Sequence, residues 1–256
     1  MCHDVSHPGN NLPLEATYTE WKNGPYAAKG IVCQDCHMTP GPGVTKPNPG
    51  KAVDFGPDRE HIFTHNIVGG NFAVPALLGN QEHANLAKER LKAAAKVSIP
   101  AGTIKKNSQG LEFQVKVENV GAGHYLPTGL TETREMWLEV TITDNSGKVL
   151  WRSGALDDHG NIQAESVIYR TVLADKNGKP TDKVWEAEKL LEDHRIPPQS
   201  SVMEKYTVPA NVQLGKARIT ARLLYRSAPQ HVIDDLFGNE TFEVPVLEMT
   251  KGEANI

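Results

Sequence analysis

Two thiols and an imidazole fall within one short stretch, Cys33-Gln34-Asp35-Cys36-His37. Two cysteines separated by two residues, with a histidine directly after, form the attachment pattern of a c-type haem. Each thiol can add across one vinyl group of a porphyrin to give a thioether. The adjacent imidazole is then held beneath the iron as its proximal ligand. The two intervening residues make a tight turn that matches the separation of the vinyl groups. The chain has only three cysteines, so no general excess of them raises the chance of such a pattern. A thioredoxin-like redox pair and a partial zinc site compete for the same residues. The redox pair wants a preceding buried strand and a following helix. Here the approach over 20–25 is broken and rich in turn residues, and Thr39-Pro40-Gly41-Pro42-Gly43 cannot be a helix. A zinc site needs another cysteine pair or a spaced histidine pair, and the one cysteine left is Cys2.

A haem with one histidine ligand has a second axial position to fill. His61 and His65 stand four apart just downstream, close enough on a helix to share a face, and Gly69-Gly70 would let backbone approach a flat ligand. Met38 abuts the proximal histidine and cannot reach the opposite face of the same ring, so imidazole is the expected sixth ligand, with a low potential relative to His/Met haems. At the N-terminus, Cys2-His3 has the form of the second half of another Cys-x-x-Cys-His, which makes a second haem there conceivable, with Cys2 in a thioether and His3 on iron. No secretory signal precedes it, although c-type haem is ordinarily attached outside the cytoplasm. The expectation is therefore a chain that begins inside a longer periplasmic or extracellular cytochrome. The alternative is a true start with an incidental Cys-His pair.

The elements that position these groups differ along the chain. Residues 1–79 are the expected haem-binding segment, and from 1 to about 57 they are studded with Pro and Gly, show little periodicity and are poor in aliphatic side chains. Such a segment cannot bury enough surface to fold alone, whereas loops suffice if a macrocycle supplies the apolar interior. Residues 80–96 read as a linking helix, with Leu86, Ala87, Arg90, Leu91, Ala94 and Ala95 as its stripe and Asn80 as N-cap. From 97 to 256 the pattern turns to alternation. Residues 111–118 and 137–143 read as half-buried strands, as do 148–152, 167–173, 202–208, 217–225 and 241–246, with polar turns at Asp144-Asn145-Ser146-Gly147 and Asp175-Lys176-Asn177-Gly178. The fold class expected is α+β: a loop-rich haem-wrapping segment, one linking helix and a C-terminal antiparallel β-sandwich.

Within the sandwich one loop carries chemistry, Gly121-Ala122-Gly123-His124-Tyr125-Leu126-Pro127-Thr128-Gly129. Its small residues would let His124 approach a planar cofactor or an adjoining domain. A glycine-rich turn with His124 bonded to nearby backbone explains the same residues. Asp157, Asp158 and His159 read as a solvated turn, and His194 and His231 as surface residues without a visible partner. The net charge of −4, with both signs interspersed, leaves no electrostatic footprint for nucleic acid, and no apolar run is long enough for a transmembrane segment.

With these stretches laid out, the chain resembles multihaem c-type cytochromes of the bacterial bis-histidine, electron-transfer kind. The residues that carry the resemblance run from Glu20-Trp21 to the Cys33–His37 motif, then His65-Asn66-Ile67-Val68-Gly69-Gly70-Asn71, then the loop around His124, with Arg195-Ile196-Pro197-Pro198 as a weaker match. The resemblance implies closely packed haems passing electrons along a chain, with the β-sandwich as a docking or packing module. It implies thioether roles for Cys33 and Cys36, a proximal role for His37, a distal role for His65 and, less securely, His61, and an axial role for His124 toward a neighbouring haem. The partners implied are redox proteins or neighbouring haem domains. Two other functions fit the residues. One is a catalytic cytochrome acting on a small nitrogen or sulfur compound at an open iron position. The other is a partner-binding β-sandwich whose cytochrome portion is an appendage.

Overall fold

The computed structural model describes residues 3–44, 47–238 and 242–256. Its fold is α+β, dominated by antiparallel strands. The strict alternation over 111–118 becomes the strand Gly110–Asn119, in which Leu111, Phe113, Val115 and Val117 point into the core. It is paired by Ser201–Pro209 on one side and by Ala95–Ser98 and Lys105–Asn107 on the other. A second sheet is built on Glu135–Asp144, which pairs with Ala217–Arg226 along one edge and with Ile168–Tyr169 and Val149–Ser153 along the other; Leu247–Asn255 completes it beyond Ala217–Arg226. The facing sides of both sheets contribute to one apolar core, including Phe113, Leu138, Ile142, Ile219 and Leu223. This is the sandwich arrangement.

Two of the expected strands differ from the structure. Residues 167–173 divide at Arg170. Ile168–Tyr169 joins the large sheet, whereas Thr171–Ala174 leaves it for a small sheet with Pro180–Thr181 and Lys189–Asp193. In the 241–246 run, Thr241 lies outside the described residues, and Phe242 to Val246 are not strand. Pro245 has no N–H to give a ladder. The Gln230 side chain, at the start of an unforeseen helix Gln230–Phe237, donates to Phe242 O at 2.9 Å and accepts from Val244 N at 2.9 Å in place of a neighbouring strand.

The linking helix spans Gln81–Ala94. The Asn80 side chain caps it by accepting from His83 N at 3.0 Å. Ala84, Ala87 and Leu91 are its buried face. Residues before the helix hold more regular structure than their composition suggests: short helices Thr17–Lys22, Pro25–Ala28, Gln34–His37 and Ala73–Leu77, and the hairpins Asp4–Ser6 with Pro13–Ala16 and Gly50–Lys51 with Asp58–Arg59. Residues 61–68 form no helix, so His61 and His65 do not share a helical face. Val68 and Phe72 enter the same core as Leu91 and the sandwich strands, which makes the apolar interior continuous across the 79/80 and 96/97 positions. Among the described residues no helix is long and apolar enough to cross a membrane.

Candidate haem-binding site

The Cys33–His37 motif forms a single helical turn. Cys36 N and His37 N donate to Cys33 O at 3.2 and 2.9 Å, and the buried Asp35 accepts from Val32 N at 2.9 Å, tying the turn to the residue that leads into it. The linking helix holds the other end. Arg90 donates to Cys36 O at 3.2 Å and to Thr39 O at 2.7 Å, satisfying carbonyls that a one-turn helix leaves open. Cys33 and Cys36 are both free thiols, the first exposed and the second partly covered. Burial pushes the Cys36 thiol up, and the Asp35 carboxylate beside it pushes the same way.

His37 is fixed by both backbone groups of Val68. Its Nδ1–H donates to Val68 O at 2.6 Å, while Val68 N donates to His37 O at 2.9 Å. Val68 is wholly buried, so the ring orientation is inherited from the core. With Nδ1 carrying the proton, Nε2 keeps its lone pair, the state a metal ligand requires. Burial lowers the pKa of His37 and favours the neutral ring, with Arg90 and His3 adding repulsion.

His124 arrives from the sandwich. Asn119, at the end of its strand, donates to His124 O at 2.8 Å and accepts from Ala122 N at 3.1 Å, and Leu126 exchanges backbone bonds with Ile196 at 3.0 and 2.9 Å. Two glycines permit the approach. A Cβ on Gly121 would stand 2.3 Å from Ala93 O, and one on Gly123 would stand 3.2 Å from the Tyr26 ring. His124 Nδ1–H donates to Tyr125 O at 2.8 Å, which again leaves Nε2 with its lone pair, and burial again lowers its pKa. The rings of His37 and His124 lie 6.2 Å apart between centroids with planes 19° from parallel. His124 is thus bonded to nearby backbone while its ring faces that of His37.

Glu20 and Arg195 lock that juxtaposition. Glu20 Oε2 accepts from Tyr125 N at 3.1 Å and from Thr128 Oγ1 at 2.8 Å, while Oε1 receives Arg195 at 2.5 Å. Arg195 also grips Asp193 through two bonds of 2.7 and 2.8 Å and covers the Tyr125 ring at 5.0 Å. These partners stand 175 positions apart, and nothing in the local pattern of either announces the other.

The remaining histidines are placed differently. His61 Nδ1 accepts from Asn48 N at 3.2 Å, so Nε2 bears the proton; that nitrogen is buried without a hydrogen-bond partner among the described residues, and the ring sits edge-on to Phe63 at 4.6 Å. His65 is exposed. His3 is exposed, its carbonyl accepting from Tyr18 N at 3.4 Å, and it lies near enough to His37 to act on it electrostatically. Cys2 lies outside the described residues. His194, read as a surface residue, has partners on both ring nitrogens, Ile168 O and Glu204 Oε1, each at 3.1 Å, and His231 meets Asp182 at 3.4 Å. Asp157 accepts from His159 N and Asn161 N, an Asx turn. Among the described residues no group of three or more His, Cys, Asp or Glu converges as a metal-ion site.

No protein-family model and no curated protein matches the chain. A solved structure does: the penta-haem cytochrome c552 of Thermochromatium tepidum is similar over the whole of this chain, with a TM-score of 0.65 and 22% identity. The chain spans 54% of the length of that protein. The likeness shows a shared fold.

Proposed function

We propose that this chain is an electron-transfer segment of a multihaem c-type cytochrome, with one haem bound covalently through Cys33 and Cys36 and ligated by His37 and His124. The observation that carries the reading is the pairing of those two imidazoles: neutral, each with Nδ1–H tied to a backbone carbonyl, and 6.2 Å apart. Two metal–imidazole bonds of roughly 2 Å each, plus the ring radii, span a centroid separation on the order of 6 Å. Free thiols on a helical turn ending at His37 supply the covalent half of the site. Exposed Val32, Phe63 and Ile67 flank the ligating stretches in sequence and offer apolar cover for a macrocycle. The haem supplies an iron that cycles between ferric and ferrous states.

The protein's own part is to hold the ligands still. With His37 and His124 both tied to backbone carbonyls, the residues that would hold the haem would reorganise little on electron transfer, and burial and nearby charge would set the potential. In this reading the exposed His65 and His3 serve neighbouring haems, Cys2 belongs to a second attachment site, and the partners are redox proteins or haem domains. His61 is left out of the ligand set, since its free nitrogen is the protonated one. Covalent haem attachment places the working protein in the periplasm or outside the cell.

The test is maturation in a compartment with haem-attachment machinery, followed by intact mass and a haem-stained denaturing gel. The expected product keeps its colour after denaturation, is heavier by a whole number of haems, and shows a low-spin spectrum that reduced-state carbon monoxide does not alter. His124→Ala should convert one haem to a carbon-monoxide-binding form with its thioethers intact. A colourless protein of unmodified mass overturns the reading, and a low-spin haem unaffected in H124A overturns the ligand pair. Carbon monoxide binding in the unaltered protein would point to the catalytic alternative.

A further inference from the structure

The His124 side chain can turn about its own bonds, so its place in the loop does not by itself fix the plane of its ring. What fixes the plane is the backbone on either side of Tyr125. The peptide joining His124 to Tyr125 is held at both ends: its N–H donates to Glu20 Oε2 at 3.1 Å, and its carbonyl accepts from the buried Asn119 at 2.8 Å. The next peptide is held too. Its carbonyl, Tyr125 O, accepts the His124 Nδ1–H at 2.8 Å, and its N–H, on Leu126, donates to Ile196 O at 3.0 Å. The imidazole therefore follows the Tyr125 backbone, which has Glu20 on one side and Ile196 on the other. Glu20 closes the circuit between them. It lies on the short helix Thr17–Lys22 of the leading segment, with its side chain nearly buried. The same Oε2 accepts from Thr128 Oγ1 at 2.8 Å, a hydroxyl that in turn accepts from Thr17 Oγ1 at 2.8 Å, and Oε1 takes Arg195, the residue before Ile196. Hydrogen bonds to an ionised carboxylate are stronger than neutral ones. One carboxylate thus fixes three points around the ligand: Tyr125, Thr128 and Arg195.

Resting on the haem reading above, we propose that Glu20 is the positioning residue for the distal ligand: it fixes the Tyr125 backbone and, through it, the plane in which His124 presents Nε2, nearly parallel to His37. The two ring planes stand 19° apart. Outer partners of this kind orient metal-binding imidazoles and strengthen the hold of the site on the metal. The role belongs to the place of the carboxylate as well as to its charge, because Oε1 serves Arg195 while Oε2 serves the ligand loop.

The experiment is low-temperature electron paramagnetic resonance of the oxidised, haem-loaded full chain, with carbon monoxide added separately to the dithionite-reduced protein. Nearly parallel imidazole planes give a rhombic low-spin signal, whereas planes turned toward a right angle give a single, strongly anisotropic one. The unaltered protein should show the rhombic signal, and a haem-loaded protein without it overturns the proposal. Glu20→Ala should lose that signal while keeping its thioethers, and its hold on His124 against carbon monoxide should weaken by about 10- to 100-fold. Added imidazole should restore the low-spin state. A variant that is merely less stable would unfold at lower denaturant with the parent's signal unchanged, and that result overturns the proposal. Should E20A fail to load haem, Glu20→Asp decides. Its carboxylate keeps a charge for Arg195 but is one methylene too short to keep both bonds to the ligand loop. An altered signal in E20D supports the positioning role, and an unaltered one overturns it. A colourless preparation defeats the haem reading, and a His124→Ala variant that binds no carbon monoxide defeats the ligand pair. With both of those intact, a parent-like E20A defeats only the role of Glu20.

Discussion

Three histidines show how neighbours decide what an imidazole can do. His37 and His124 each meet one carbonyl and are pressed toward neutrality by burial, which leaves a lone pair on Nε2. His194 meets an acceptor at each nitrogen, Ile168 O and Glu204 Oε1, a setting that suits the doubly protonated ring. The hydrogen bond that His194 donates to Glu204 raises the pKa of His194 against the opposing effect of partial burial. A folded pKa above the unfolded one means that the charged ring stabilises the fold fully below the unfolded value and ceases to do so as pH rises through the folded value. Denaturant midpoints measured from pH 5 to 9 should therefore decline on the alkaline side of the ordinary histidine range, and His194→Gln should lose that portion of the decline. An unchanged profile in H194Q would show that the His194–Glu204 pair makes no contribution. None of this was legible beforehand, because Glu204 and Ile168 reach His194 only after the strands have paired.

At the scale of elements, alternation carried the reading a long way. Residues 111–118 and 137–143 became the central strands of the two sheets, and both Asp-x-x-Gly turns formed, with Gly147 and Gly178 at φ of 85° and 77°. Alternation could not say where a strand changes sheet, so the break at Arg170 went unseen, nor that Gln230 would occupy the bonding groups near Pro245. The small residues around His124 signalled close approach, and the structure shows what is approached. Gly121→Ala would drive its Cβ against Ala93 O at the end of the linking helix, so the 121–129 loop must shift or the helix end must give. Thermal or chemical unfolding of G121A should report a loss of roughly 1–3 kcal/mol, together with a weakened low-spin signal in the haem-loaded protein. A variant as stable as the parent would show that the loop has slack.

For the whole molecule, the continuous core and the Glu20–Arg195 pair bind the leading segment to the sandwich. Both side chains of that pair are nearly buried, at 11% and 7% exposure. Removing one partner would leave the other charge without compensation, so Arg195→Ala should cost roughly 3 kcal/mol of stability in equilibrium denaturation. A cost below about 1 kcal/mol, typical of surface pairs, would mean that water replaces the guanidinium without penalty.

The thiol pair with its following histidine, the capped helix after Asn80 and the strand-rich second half were all readable from the chain alone. Each rests on short-range chemistry: a fixed spacing, a side chain reaching its own backbone, or a two-residue alternation. Which imidazole comes to face His37 was settled only by folding. Val68, Asn119, Glu20 and Arg195 orient these groups from distant parts of the chain, and contacts across such separations follow from how whole sheets and helices pack.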